Sequence, residues 1–146
     1  MNERYLFKGK RIDNGEWVVG HLCSGRDDES LDYFIREASV DGESGYVYKV
    51  NSKTVGQCTG LRDKNGTLIF EGDIVAYHEY LAEVKYGYKE SNVQTFYYGG
   101  FYMDWFRDDI SQHFRGDIYW WVTERNIEII GNVYEHSHLL KGGDDE

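Results

Sequence analysis

The chain has 146 residues, a net charge of −10 and 29% charged side chains. That length gives room for one domain, or one domain with a small appended lobe, and for a core that needs no metal or disulfide staple. No apolar run approaches the roughly 20 residues of a bilayer span, and the acidic balance opposes non-specific attraction to phosphate backbones.

The charge is uneven: residues 1–72 carry 10 basic and 12 acidic side chains, and residues 73–146 carry 6 and 14. Lys8, Lys10 and Arg11 form a local basic patch, which reads as a solvated strand edge. Cys23 and Cys58 lie far apart and outside any C-x-x-C pair, a usage that suits a reducing compartment. No apolar signal core follows Met1-Asn2-Glu3-Arg4, so a cytoplasmic location is expected.

In chain order, the first signal is a hairpin. Tyr5–Lys8 and Trp17–Leu22 flank Asp13-Asn14-Gly15, where Asn-Gly supplies the positive φ of a tight turn. Trp17, large and apolar, is expected on the inner face of this hairpin. Leu31, Phe34, Ile35 and Ala38 fall at helical spacing after Ser30, although Tyr33-Phe34-Ile35 also reads as a strand. A second Asn-Gly turn at Asn65-Gly66 joins Cys58–Leu61 to Thr67–Phe70, and Glu71-Gly72-Asp73 leads into Ile74–Tyr77. Further strands are expected at Ala82–Tyr88, Gln94–Tyr98, Phe101–Phe106, Ile118–Thr123 and Ile127–Tyr134. Helical turns are expected at Asp108–Arg115 and His136–Leu140, and residues 141–146 read as a disordered acidic tail. Short strands at this spacing suggest a strongly bent sheet or small barrel.

Little in the sequence suggests catalysis. Glu71 with Asp73 and Asp108 with Asp109 are carboxylate pairs of the kind that can divide acid and base roles. In an acidic, turn-rich chain such pairs also arise by chance. Asp63 and Asp73 are placed to accept backbone N–H bonds in their turns. His136 and His138 fall short of the three or four converging ligands a metal site needs. His21 and Cys23 share one face of a strand, with Cys58 in another strand. There is no phosphate-cradling glycine loop, no G-x-S-x-G elbow and no H-E-x-x-H. No enzymatic activity, cofactor or metal is expected, and no catalytic residue is assigned.

Three blocks carry a family resemblance. Phe7-Lys8-Gly9-Lys10-Arg11-Ile12-Asp13-Asn14-Gly15-Glu16-Trp17-Val18-Val19-Gly20 closely resembles the opening of YopX-like proteins from phages and prophages. Thr54-Val55-Gly56-Gln57-Cys58-Thr59-Gly60-Leu61-Arg62-Asp63-Lys64-Asn65-Gly66, running on through Phe70-Glu71-Gly72-Asp73-Ile74-Val75, resembles a second family block. Ile130-Gly131-Asn132-Val133-Tyr134-Glu135, followed by Leu139-Leu140, resembles the third. The resemblance implies an origin in phage or prophage DNA, a bacterial host cell and a C-terminal part like SH3-type barrels. It implies no established activity. His136-Ser137 stands where the family usually has Asn-Pro.

Together these readings predict a mainly β protein. Residues 1–53 would form an N-terminal hairpin lobe, and residues 54–140 an SH3-like barrel with an aromatic-rich insertion and one or two short helical segments. More than half of the aromatic residues lie between Tyr86 and Trp121, more than a single small core readily encloses. Only Lys89, Arg107 and Arg115 are cationic there, which disfavours a base-stacking platform and makes nucleic acid an unlikely partner. The surplus rings are expected in a homo-oligomer contact, with Tyr98, Phe101 and Trp120 as interface candidates. The function expected is a non-catalytic, oligomeric interaction module acting on a host or phage protein. The alternatives are an acidic decoy that imitates DNA to occupy a host nucleic-acid enzyme, or an accessory nucleic-acid-binding barrel.

Overall fold

The computed structural model describes residues 5–26, 31–37, 45–90, 97–106 and 117–141. The expected helical turn at Asp108–Arg115 and the acidic tail after Lys141 lie outside them. The described chain is mainly β, with ten strands in two antiparallel sheets and one α-helix. It divides into two compact units, Met1–Gly60 and Leu61–Glu146, with the boundary inside a strand.

The first unit contains β1 (Phe7–Lys10), β2 (Trp17–Arg26), β3 (Leu31–Glu37), β4 (Val47–Val50) and the first part of β5 (Gly56–Arg62), in the order β4-β3-β2-β1-β5. The Asn14-Gly15 turn is as expected. Gly15 sits at φ +75°, the Asn14 side chain accepts the Glu16 N–H at 2.9 Å, and the Arg11 N–H closes the loop on the Glu16 carbonyl at 2.8 Å. Lys10 pairs with Trp17 and Gly9 with Val18.

That register corrects the expectation for Trp17. Val18, not Trp17, enters the core, where it joins Ile35 and Val50 with Phe7, Leu22, Tyr33, Tyr48 and Val55 around them. Trp17 lies half-buried on the opposite face, beneath the Lys8 and Lys10 ammoniums. The cause is Gly9 on the core face. A Cβ built there would come within 3.2 Å of Val50 Cβ, so neighbouring aliphatic chains have closed over the glycine and Val18 beside it fills the layer. The helical spacing at Leu31–Ala38 also yields to a strand: β3 pairs with β2 from Glu37 to Leu31 without a break. Alternation then buries Ile35 completely and leaves Phe34 half-buried on the other side.

The second unit contains the end of β5, β6 (Leu68–Phe70), and a sheet of β7 (Asp73–Tyr77), β8 (Tyr80–Glu90), β9 (Tyr97–Trp105) and β10 (Glu128–Asn132) in the order β10-β7-β8-β9. Barrel closure is not among the pairings of the described residues. Its core is Ile69, Val75, Ala82, Val84, Met103, Trp105, Ile118, Trp121 and Ile127. β9 is one strand where two were expected: Gly99 and Gly100 stay in the ladder opposite Tyr88 and Gly87. Gly87 and Gly100 face each other at φ +149° and +106°, conformations that glycine adopts freely and other residues rarely do, so the ribbon changes course there without breaking.

The expected strand at Ile118–Thr123 is instead α1 (Ile118–Glu124). Asp117 caps it, its side chain accepting the Trp120 N–H at 3.4 Å, and the helix buries Ile118 and Trp121, one turn apart. The predicted alternation of Tyr119 and Trp121 against Trp120 is therefore replaced by helical spacing, with Tyr119 64% exposed. The final turn at Ser137–Lys141 is a short 3₁₀ helix.

Candidate functional site

The acids singled out in the turns are occupied by the backbone. Asp63 is buried. Its Oδ1 accepts the N–H of Asn65 at 2.9 Å and of Thr67 at 3.0 Å, while its Oδ2 accepts the N–H of Ile129 at 2.9 Å. Asp73 Oδ2 accepts the Phe70 N–H at 2.8 Å. Sequence reasoning missed a third such residue, Asn132, whose Oδ1 accepts from Tyr134 and Glu135 at 3.0 Å each. An Asn entering a turn with a glutamate three residues on was the available signal. His136 Nδ1 accepts the Asn132 N–H at 3.1 Å, so the ring closes the last turn.

Near these turns lies an acidic neighbourhood around Tyr134. Its ring sits over Gly72, φ +94°, where a Cβ would come within 2.8 Å of Tyr134 Cε2. Burial, reinforced by the charges of Glu71, Glu83 and Asp73, holds the Tyr134 hydroxyl above its ordinary pKa of 10.0. Burial likewise raises the Glu83 carboxyl; Asp104 and Glu71 add to the rise and Lys85 opposes it. Lys85 is itself paired with Asp104 at 2.8 Å. Among the described residues no three His, Cys, Asp or Glu side chains converge as metal ligands. Cys58 is buried, whereas Cys23 and His21 are exposed on β2.

The three interface candidates occupy different elements. Phe101, on β9, packs partly against the second unit's core and meets Tyr86 edge-on, with ring centroids 4.9 Å apart. Trp120, on α1, also packs against that core, stands T-shaped to Trp121 at 5.0 Å and lies beneath the Arg125 guanidinium at 4.8 Å. Tyr98 pairs with Lys89 in the β8–β9 ladder; its side chain lies outside the described part.

The first unit's sheet presents a second surface. The register places Lys8, Lys10, Trp17, Val19, His21, Cys23, Asp32, Phe34, Arg36, Val47 and Lys49 on the face opposite Val18 and Ile35. His21, Arg36, Val47 and Lys49 are exposed there. The Lys8 Nζ stands 4.9 Å from the Trp17 ring centre and Lys10 Nζ 5.9 Å. Lys49 reaches Asp32 at 3.4 Å. Of the basic patch expected as a strand edge at Lys8, Lys10 and Arg11, Lys8 and Lys10 lie on this face of an interior strand, between β2 and β5, and Arg11 pairs with Asp13 at 2.7 Å.

Fold and turns together define a small two-sheet β protein in which buried turn acids fix the backbone. The chain belongs to the YopX protein family, whose model matches residues 6–141, nearly its whole length. No curated protein matches it. No helix among the described residues is long and apolar enough to cross a membrane.

Proposed function

We propose that the protein is a non-catalytic interaction module, carried by phage or prophage DNA, that assembles with itself in the bacterial cytoplasm and engages a host or phage protein. The observation that supports this reading is the β8–β9 ribbon. The face that buries Ala82, Val84, Met103 and Trp105 continues along both strands to the cross-strand pair Tyr86 and Phe101. Phe101 still touches the core, but Tyr86 is 59% exposed. An apolar face that outruns its own core is surface a second copy can cover, and Tyr is enriched in such contacts. Phe101 takes part through this pair, and Tyr98 and Trp120 are the further candidates. The SH3-type barrel implied by the family likeness belongs to the same reading.

Sedimentation velocity at micromolar concentration tests it. The native chain should sediment as more than one subunit, and Tyr86→Ser should shift it toward the monomer while leaving the far-ultraviolet spectrum unchanged. A native chain that sediments as a clean monomer removes the self-association.

A further inference from the structure

The β8–β9 ribbon is anchored along one part of its length and not along the other. In the anchored part, β7 pairs with β8 from Tyr80 to Glu83, and the Gly72 N–H donates to the Val84 carbonyl at 2.8 Å. On the other strand Tyr102 bridges to Asp117. The core lies beneath Val84 and Met103, with Phe101 at its margin. Past Phe101, among the described residues, the two strands pair only with each other: Gly87 with Gly100, Tyr88 with Gly99, Lys89 with Tyr98 and Glu90 with Tyr97.

Gly87 and Gly100 are thus the first rung beyond the margin of the core. Both have positive φ. Apart from their chain neighbours, nothing lies within 4 Å of the position a Cβ would take on either. Gly72 shows the contrary case, since it also has positive φ but is held beneath the Tyr134 ring. Gly15 and Gly66 are open too, yet each sits in a turn that its own N–H helps to close. A β-bulge would bend the ribbon by adding a residue to one strand, but the register runs through this rung without a slip. Both strands therefore turn together. Side-chain pairs across a rung stabilise a ribbon; this rung has none, and glycine moves between φ regions at little cost.

We infer that the Gly87–Gly100 rung is a hinge, about which the ribbon beyond it, Tyr88–Glu90 with Tyr97–Gly99, moves as one paired arm. A hinge needs only a few residues that absorb a change in φ and ψ, and here two face each other between an anchored base and a ladder with no other tie. The arm can then point in more than one direction without giving up its backbone hydrogen bonds. The hinge stands whether or not the chain self-associates.

Backbone residual dipolar couplings, measured on the full chain in a dilute aligned medium, test it. Couplings from Tyr88–Glu90 and Tyr97–Gly99 should fit one alignment tensor. Its magnitude should be below about 0.8 of that fitted to β7 and the anchored part of the ribbon, the square root of the order parameter of about 0.6 that marks flexible backbone. Gly100→Val should bring the two tensors to equal magnitude, because valine rarely takes φ +106° and adds a side chain to the rung. Gly87→Val takes its place if circular dichroism shows that variant unfolded. Gly15→Val, the same change at an open positive φ in the first unit, should leave the arm's tensor reduced. A contact through β8 and β9 would itself hold the arm, so the couplings are also taken on Tyr86→Ser; a reduction there alone supports the hinge. The proposal is overturned if the arm's tensor equals that of the base in both chains, which makes the rung a rigid bend. It is also overturned if the two strands of the arm need different tensors, if Gly100→Val leaves the reduction unchanged, or if Gly15→Val abolishes it.

Discussion

Asp63 gathers three backbone N–H groups, two from its own hairpin turn and one from Ile129, 66 residues further on. A buried carboxylate with that many donors holds the hairpin end against β10, and losing it strands those donors away from water. Asp63→Ala should therefore cost on the order of 3 kcal/mol in urea unfolding, and Asp63→Asn clearly less, since its carbonyl oxygen can still accept. Asp63 and its neighbour Gly66, at φ +84°, were legible because turn chemistry is local. The Ile129 contact was not, since nothing in residues 60–70 specifies which distant strand supplies the third donor. Trp17 shows a related limit. Alternation separated it from Val18, but the choice of which face became core fell to Gly9 and its closely packed neighbours on β3 and β4.

At the level of elements, the strands around Asn-Gly turns were readable and α1 was not. Tyr119-Trp120-Trp121-Val122-Thr123 is rich in aromatic and β-branched residues, which favour strands. Against that stood two quieter signals, Asp117 as a cap and Ile118, Trp121 and Val122 at helical spacing. Packing decides for the helix: Trp121 lies 4.7 Å from the Trp105 ring and 5.1 Å from Tyr77, and seven residues of modest propensity would not stay helical unaided. Because propensity contributes so little, the cap matters. Asp117→Ala should lower stability by about 1 kcal/mol, and Asp117→Ser should be nearly neutral, both read from urea midpoints.

For the molecule as a whole, the mainly β architecture was legible, while the placing of Lys8, Trp17 and Lys49 on one sheet face was not, because it exists only once four strands are in register. Stability against pH is a further property of the whole. Glu83 has its folded pKa raised, chiefly by burial, so folding favours its protonated form. Its contribution is fully present below the ordinary value of 4.5 and is lost as pH rises through the raised folded value. Glu83→Gln should thus be more stable than the native chain at pH 7, with the gap closing at pH values below 4.5 in parallel urea titrations. One further consequence follows from Gly72 lying under the Tyr134 ring and Asp63 holding Ile129. Genes that trade segments by recombination keep working proteins only where a crossover leaves partners together. A crossover anywhere between codons 72 and 129 would join a glycine shaped for one aromatic lid to whatever residue the other parent carries at position 134. Such exchange in this family should therefore preserve the second and third sequence blocks as a linked pair.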